Sequence, residues 1–236
     1  MSDLFKFVIL HELFRPTFEI MKMNNFGIIG LLFLSLACTS QVKDKTTHKN
    51  EMNKMKTIEN LKYATFGGGC FWCTEAIFDQ LKGVIKVESG YSGGHIKNPE
   101  YREVVTGRTG HAEVIHITYN PTIISFEELL DIFFNTHNPT TLNQQGADKG
   151  TQYRSAVFYH DEEQERATDK MIKALDVAQI FEDKIVTEVT EFEVFYVAEE
   201  YHQDYFVNNR SQGYCQIVIN PKLEKFQKQY KDKLKK

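Results

Sequence analysis

The chain predicts an α/β (α+β) fold, a two-layer sandwich of helices on a mixed sheet. Short apolar runs of strand length alternate with amphipathic stretches of helix length, so helices and strands follow one another in turn. The spacings between strand-like runs are mixed, which fits neither a purely parallel nor a purely antiparallel sheet. The 236 residues are 42% hydrophobic and 25% charged, carry no internal repeat, and suffice for one well-buried domain. A net charge of -4 gives no general reason to expect nucleic acid or an anionic membrane as partner. Four cysteines, at positions 38, 70, 73 and 215, are too few and too irregular for a disulfide scaffold and read as functional.

Residues 1–38 read as a leader. Phe26 to Ala37 is a twelve-residue apolar run with Lys22 before it. That is the length of a signal-peptide core and short of the roughly 20 residues that span a bilayer. Leu34-Ser35-Leu36-Ala37-Cys38 resembles a bacterial lipoprotein cleavage site, although Ser35 stands where such sites usually carry Leu. The leader predicts export, with membrane attachment through a lipidated Cys38, and a cytoplasmic protein if it is not used. A plain secretory signal with an incidental Cys38 is the alternative. Residues 39–57 turn to Lys, Thr, Asn and Gln with hardly an apolar group. Such a stretch cannot bury enough surface to order itself, and reads as a disordered tether. The folded domain is expected over residues 58–236.

Within that domain Tyr63 to Phe66 predicts a strand, and Ala76 to Leu81 an amphipathic helix that ends at Gly83. Val84 to Val87 predicts a second strand, with Gly90 to Gly94 a loop. Asn98 to Val105 holds a short helical turn, and Thr106 to Gly110 is a loop. Ala112 to Tyr119 alternates cleanly, with Glu113, Ile115, Ile117 and Tyr119 on one face. Ser125-x-x-Glu128 is a capping box that opens a helix through Phe134. His137 to Lys149 is a long polar loop broken by Asn138-Pro139. Ser155 to Tyr159 is a strand, and Asp161 caps a helix to about Ala178. Val186 to Thr190 and Phe192 to Val197 are β-rich, and a short helix follows from Glu199. Pro221 begins a last helix with Leu223, Phe226, Tyr230 and Leu234 on one stripe.

Gly67-Gly68-Gly69-Cys70-Phe71-Trp72-Cys73 is the stretch that carries chemistry. Cys70 falls where a strand turns into a helix. Unpaired amides and the positive end of the helix dipole favour an anion there, so the thiol is expected below its free pKa of about 8.5. Glu113 shares a strand face with two isoleucines, and a carboxyl in apolar surroundings resists ionising and can act as an acid near neutral pH. Three other readings compete. A phosphate-cradling turn lacks both glycine-rich fingerprints, and a zinc site lacks a second C-x-x-C or a histidine pair. A thioredoxin-like dithiol is the stronger competitor, since C-x-x-C beside a βα turn is its signal.

Gly69-Cys70-Phe71-Trp72 resembles the active-site signature of the A-type peptide methionine sulfoxide reductases. Further blocks match in the family's order: Gly90-Tyr91-Ser92-Gly93-Gly94, Tyr101-Arg102-Glu103-Val104, Thr109-Gly110-His111-Ala112-Glu113, Gly150-Thr151-Gln152-Tyr153-Arg154-Ser155 and Gly213-Tyr214-Cys215. The resemblance covers Tyr63 to Cys215. It implies a ferredoxin-like core, no cofactor and no metal, and thiol-dependent reduction of methionine sulfoxide, of the S epimer, free or in peptides and proteins. Carried over position by position, it implies Cys70 as nucleophile, Glu113 as proton donor, and Tyr101 and Tyr153 as hydrogen-bond donors to the sulfoxide oxygen. The resemblance further implies that Asp148 helps orient the site and that Phe71 and Trp72 receive the substrate methyl.

Attack leaves Cys70 as a sulfenic acid, which condenses with a second thiol and is recycled by thioredoxin or an equivalent reductant. Cys215 and Cys73 are the two candidates for that thiol. Cys215 lies in the C-terminal segment where many members of the family place the resolving cysteine, and is the favoured one. Cys73 stands where many relatives have Gly, and this chain lacks the further C-terminal Cys found in many of them. Two other classes stay open, a dithiol oxidoreductase acting on protein disulfides and a lipid-anchored binding module without catalysis.

Overall fold

The computed structural model describes residues 60–236. The leader, its Cys38 and the tether lie outside the described residues. The elements run β1 (Lys62–Gly68), α1 (Phe71–Phe78), β2 (Val84–Ser92), α2 (Tyr101–Val104), β3 (Ala112–Tyr119), α3 (Phe126–Thr136) and the two-residue strands β4 (Gln144–Gln145) and β5 (Asp148–Lys149). They continue with β6 (Ser155–Tyr159), α4 (Glu162–Val177), β7 (Glu188–Glu191), β8 (Tyr196–Val197), α5 (Tyr205–Asn208) and α6 (Asn220–Gln229).

The main sheet has the order β7-β6-β1-β3-β2-β8. Only the β6–β7 pair is parallel, so the sheet is mixed, as expected. Its inner four strands, β6-β1-β3-β2, joined by α1 and α3, make the split βαβ arrangement of a ferredoxin-like core. Strand residues alternate between faces, and the two faces bury different sets. Ile115 and Ile117 join Phe66, Phe78, Phe126 and Phe133 in the core beneath the helices, where the Phe66 and Phe133 rings stack 4.9 Å apart. Burying each such side chain is worth about 1.5–3 kcal/mol. Ala112, Val114, Ala156 and Phe158 face the other way and are covered by Phe192 and Phe195.

Local signals hold at the helix starts. Ser125 Oγ accepts the Glu128 amide at 3.2 Å while Glu128 accepts the Ser125 amide at 2.9 Å, so the capping box is formed. Asp161 caps α4 through the Gln164 amide at 2.8 Å.

Three expectations are corrected. Gly90, Tyr91 and Ser92 belong to β2 rather than to a loop, because β3 pairs with them in register, Tyr91 opposite Glu113 and Ser92 opposite Ala112. Gly90 sits where β8 comes so close that an added Cβ would lie 2.3 Å from the Tyr196 carbonyl oxygen. The β-rich stretch 186–197 shrinks to β7 and β8, since Phe192 and Phe195 are spent covering the outer face. Helical structure begins before Pro221, with a π-helical turn over Cys215–Ile219 that runs into α6 and buries Cys215 and Ile219.

Candidate active site

The end of β1 and the start of α1 build the site. Gly69 adopts φ +88, a backbone region that favours glycine, and a Cβ there would lie 2.5 Å from the Gln145 side chain. The chain can therefore turn sharply and deliver Cys70 as the first capping residue of α1. Cys70 supplies no side-chain cap of its own. Instead Glu113, from the neighbouring β3, accepts the Phe71 amide at 3.1 Å through Oε2. Glu113 is 2% exposed, and burial pushes its carboxyl up to about 8. Near neutral pH it is largely an undissociated acid, as its strand face predicts.

The expected depression of the Cys70 pKa is not what this site produces. Its thiol is raised, first by a hydrogen bond with Cys73, then by burial and by the charges of Cys73 and Glu113. Cys73 is the one pulled down, to about 7, chiefly by the hydrogen bond from Cys70. The directions of the two shifts favour ionisation of Cys73 over Cys70.

Cys70, Glu113, Tyr101, Tyr153, Asp148 and the rings of Phe71 and Trp72 line one cavity of about 150 Å³, together with Tyr214. All the residues expected for catalysis and for holding the substrate meet there. Burial raises the phenols of Tyr101, to about 12, and of Tyr153, so both stay protonated donors. Asp148 accepts the Tyr214 hydroxyl at 3.0 Å, and Tyr214 Oη lies 3.9 Å from the Cys73 sulfur. Cys215 is fully buried, and burial first, then the Cys73 charge, raises its pKa. Of the two candidate partners Cys73, three residues on from Cys70 at the start of α1, is the one whose titration is tied to that of Cys70.

The sequence reading missed three residues that set the apolar wall. Trp72 stacks on Tyr205 with ring centroids 3.6 Å apart and planes at 6°. Its indole N–H donates to His202 Nδ1 at 3.1 Å. His202 is buried and held neutral by that burial, so its proton sits on Nε2, 4.0 Å from Glu199 Oε2. Glu199 in turn accepts the Tyr101 amide at 2.8 Å and the Tyr91 hydroxyl at 3.0 Å. The available signal was the aromatic and acidic run Glu199 to Phe206, which by itself predicts only a short helix.

The family described as peptide methionine sulfoxide reductase matches residues 62–234. The chain belongs to this family. The reductase is 53% identical over 175 residues to peptide methionine sulfoxide reductase MsrA of Saccharolobus solfataricus, covering 74% of this chain and 98% of that one. To the MsrA of Deinococcus radiodurans it is 54% identical over 172 residues, covering 73% and 84%. Among solved structures it is similar to Mxr1 of Saccharomyces cerevisiae in reduced form, with TM-score 0.61 and 36% identity over 66% of this chain and 90% of that one. Methionine sulfoxide reductase A of Corynebacterium diphtheriae is similar too, with TM-score 0.58 and 32% identity over 64% and 76%. The reductase thus carries out thiol-dependent reduction of methionine sulfoxide in peptides, and the open alternatives of a protein dithiol oxidoreductase and a non-catalytic binding module are set aside.

Proposed function

We propose that Cys70 attacks the sulfoxide sulfur while Glu113 protonates the sulfoxide oxygen, with the Tyr101 and Tyr153 hydroxyls donating to that oxygen and Phe71 and Trp72 receiving the methyl group. The observation that carries this reading is the convergence of all six side chains on one cavity. A thiolate and an undissociated acid have to coexist, because oxide departs only when protonated. Glu113 suits the acid, and its hydrogen bond to Phe71 survives protonation, since the carbonyl oxygen of a neutral carboxyl still accepts. The Cys70 proton passes to the Cys73 sulfur, the base beside it. The bond from the Cys70 sulfur to the substrate sulfur forms as the protonated oxygen leaves as hydroxide. Hydroxide then adds to the Cys70 sulfur while that S–S bond breaks, its electron pair going to the methionine sulfur. Methionine is released, the substrate sulfur is reduced by two electrons and the Cys70 sulfur is oxidised by two to a sulfenic acid.

Their placing three residues apart at the start of α1 and their linked titration support Cys73, rather than Cys215, as the thiol that attacks the sulfenic acid and expels water, leaving a Cys70–Cys73 disulfide. A dithiol reductant of the thioredoxin type would then restore both thiols. Export and attachment through a lipidated Cys38 is the reading the leader supports, and loss of membrane association in a Cys38→Ala variant tests it. For the reduction step, a methionine sulfoxide peptide supplied with dithiothreitol should be turned over by the wild type and not by Cys70→Ser. Equal rates for the two would remove Cys70 from the reaction.

A further inference from the structure

We infer that Glu75 is a positioning residue for the substrate wall: from within α1 its carboxylate holds the turn that lays Tyr205 flat against Trp72. The inference rests on the reading of Trp72 as the surface that receives the methyl group. Glu75 takes no part in the chemistry above, yet it is 4% exposed, and among the described residues no cation pairs with it. A carboxyl buried without a cation has to be satisfied by hydrogen-bond donors, and the donors it collects identify what it holds.

Oε1 accepts the Ser89 hydroxyl at 3.1 Å and the Asp204 amide at 3.2 Å, and Oε2 accepts the Tyr205 amide at 3.3 Å. Asp204 and Tyr205 begin α5, and Asp204 brings no side-chain cap to it. Glu75 supplies the cap from another helix. Asp204 is held at φ 51, a left-handed conformation that a non-glycine residue keeps only when its surroundings enforce it. Gln203 anchors the chain one residue earlier, through Ser89 and the Ala198 carbonyl. That clasp leaves the Asp204 and Tyr205 amides to Glu75. Trp72 and Glu75 stand three residues apart on α1, so they project to one side of the helix and meet the same segment. One presents the indole face and the other the anchor for the ring that covers it. Burial, partly offset by these donors, raises the Glu75 carboxyl to about 7.

Trp72 is the only tryptophan in the chain, so tryptophan fluorescence reports on the surroundings of this indole, the Tyr205 stack among them. Glu75→Ala, Glu75→Gln, Tyr205→Ala and Trp72→Ala are compared by emission spectrum, thermal melt and turnover of a methionine sulfoxide peptide with dithiothreitol. Glu75→Ala is expected to shift the Trp72 emission in the same sense as Tyr205→Ala and to lower kcat/KM by about tenfold, mainly through KM. Glu75→Gln, which keeps shape but turns an amide donor toward the backbone, should fall between and guards against an alanine variant that does not fold. Unchanged emission in a folded variant overturns the inference. So does a shifted emission with unchanged kcat/KM while Trp72→Ala loses activity. If Trp72→Ala is itself fully active, it is the reading of Trp72 that fails.

Discussion

The Phe71 amide donates to Glu113 Oε2 at 3.1 Å, so the proposed acid is tied to the helix residue that directly follows the proposed nucleophile. β3 and α1 cannot drift apart without breaking this bond. The same bond holds the Glu113 carboxyl beside the start of α1, at the cavity that Cys70 lines.

Glu113→Gln keeps a carbonyl oxygen for the Phe71 amide and removes the transferable proton. The reduction step, followed in single turnover at pH 7, should slow by about 10²–10⁴-fold, the usual contribution of a positioned general acid. The melting temperature should not drop, because a neutral amide replaces a buried acid. An undiminished single-turnover rate would deny Glu113 the acid role.

The pH profile follows from the sign of the shift. Glu113 is raised from 4.5 to about 8, and its protonated form is the donor. Activity from this group is present at neutral pH and falls as pH rises through about 8. Stability behaves in the same direction, since between 4.5 and about 8 the folded state holds a proton the unfolded chain has lost, and folding weakens as pH rises across that window. In Glu113→Gln both pH dependences should flatten, which stopped-flow rates and melts between pH 6 and 9 would measure.

Cys73→Ser, which loses both the base beside Cys70 and the resolving thiol, should complete one slowed turnover and stop at the Cys70 sulfenic acid, trapped by dimedone and read by mass. Cys215→Ser should still form the Cys70–Cys73 disulfide in that turnover. Finding instead a Cys70–Cys215 disulfide in the wild type, and none in Cys215→Ser, would return the resolving role to Cys215.

Gly69→Ala meets two obstacles, a positive φ and a Cβ only 2.5 Å from Gln145. Chemical denaturation should show a loss of at least about 1 kcal/mol. Activity should fall further than the stability loss explains, because the turn that aims Cys70 is displaced.

Much of this was legible from order along the chain. The capping box at Ser125, the Asp161 cap, the alternation of Ala112 to Tyr119 and the strand-to-helix turn at Cys70 are local signals that the fold keeps. Even the inward face of Glu113 could be read, from its parity with Ile115 and Ile117. Gly90 to Ser92 could not, since whether a glycine-rich segment is loop or strand depends on the β3 edge that pairs with it. Tyr205 and His202 lie more than a hundred positions from Trp72, and only folding sets them against the indole.

Taken alone, the amino-acid sequence determined which chemical groups the protein possesses, the succession of its elements and the turn where its reactive sulfur stands, because each depends on neighbours within a few residues. Tertiary structure decided which way burial shifts the Cys70 and Glu113 groups, which side chains share the cavity, and what holds the indole. Those are set by burial and by contacts between distant segments, and a pKa or a stacked ring has no local signature.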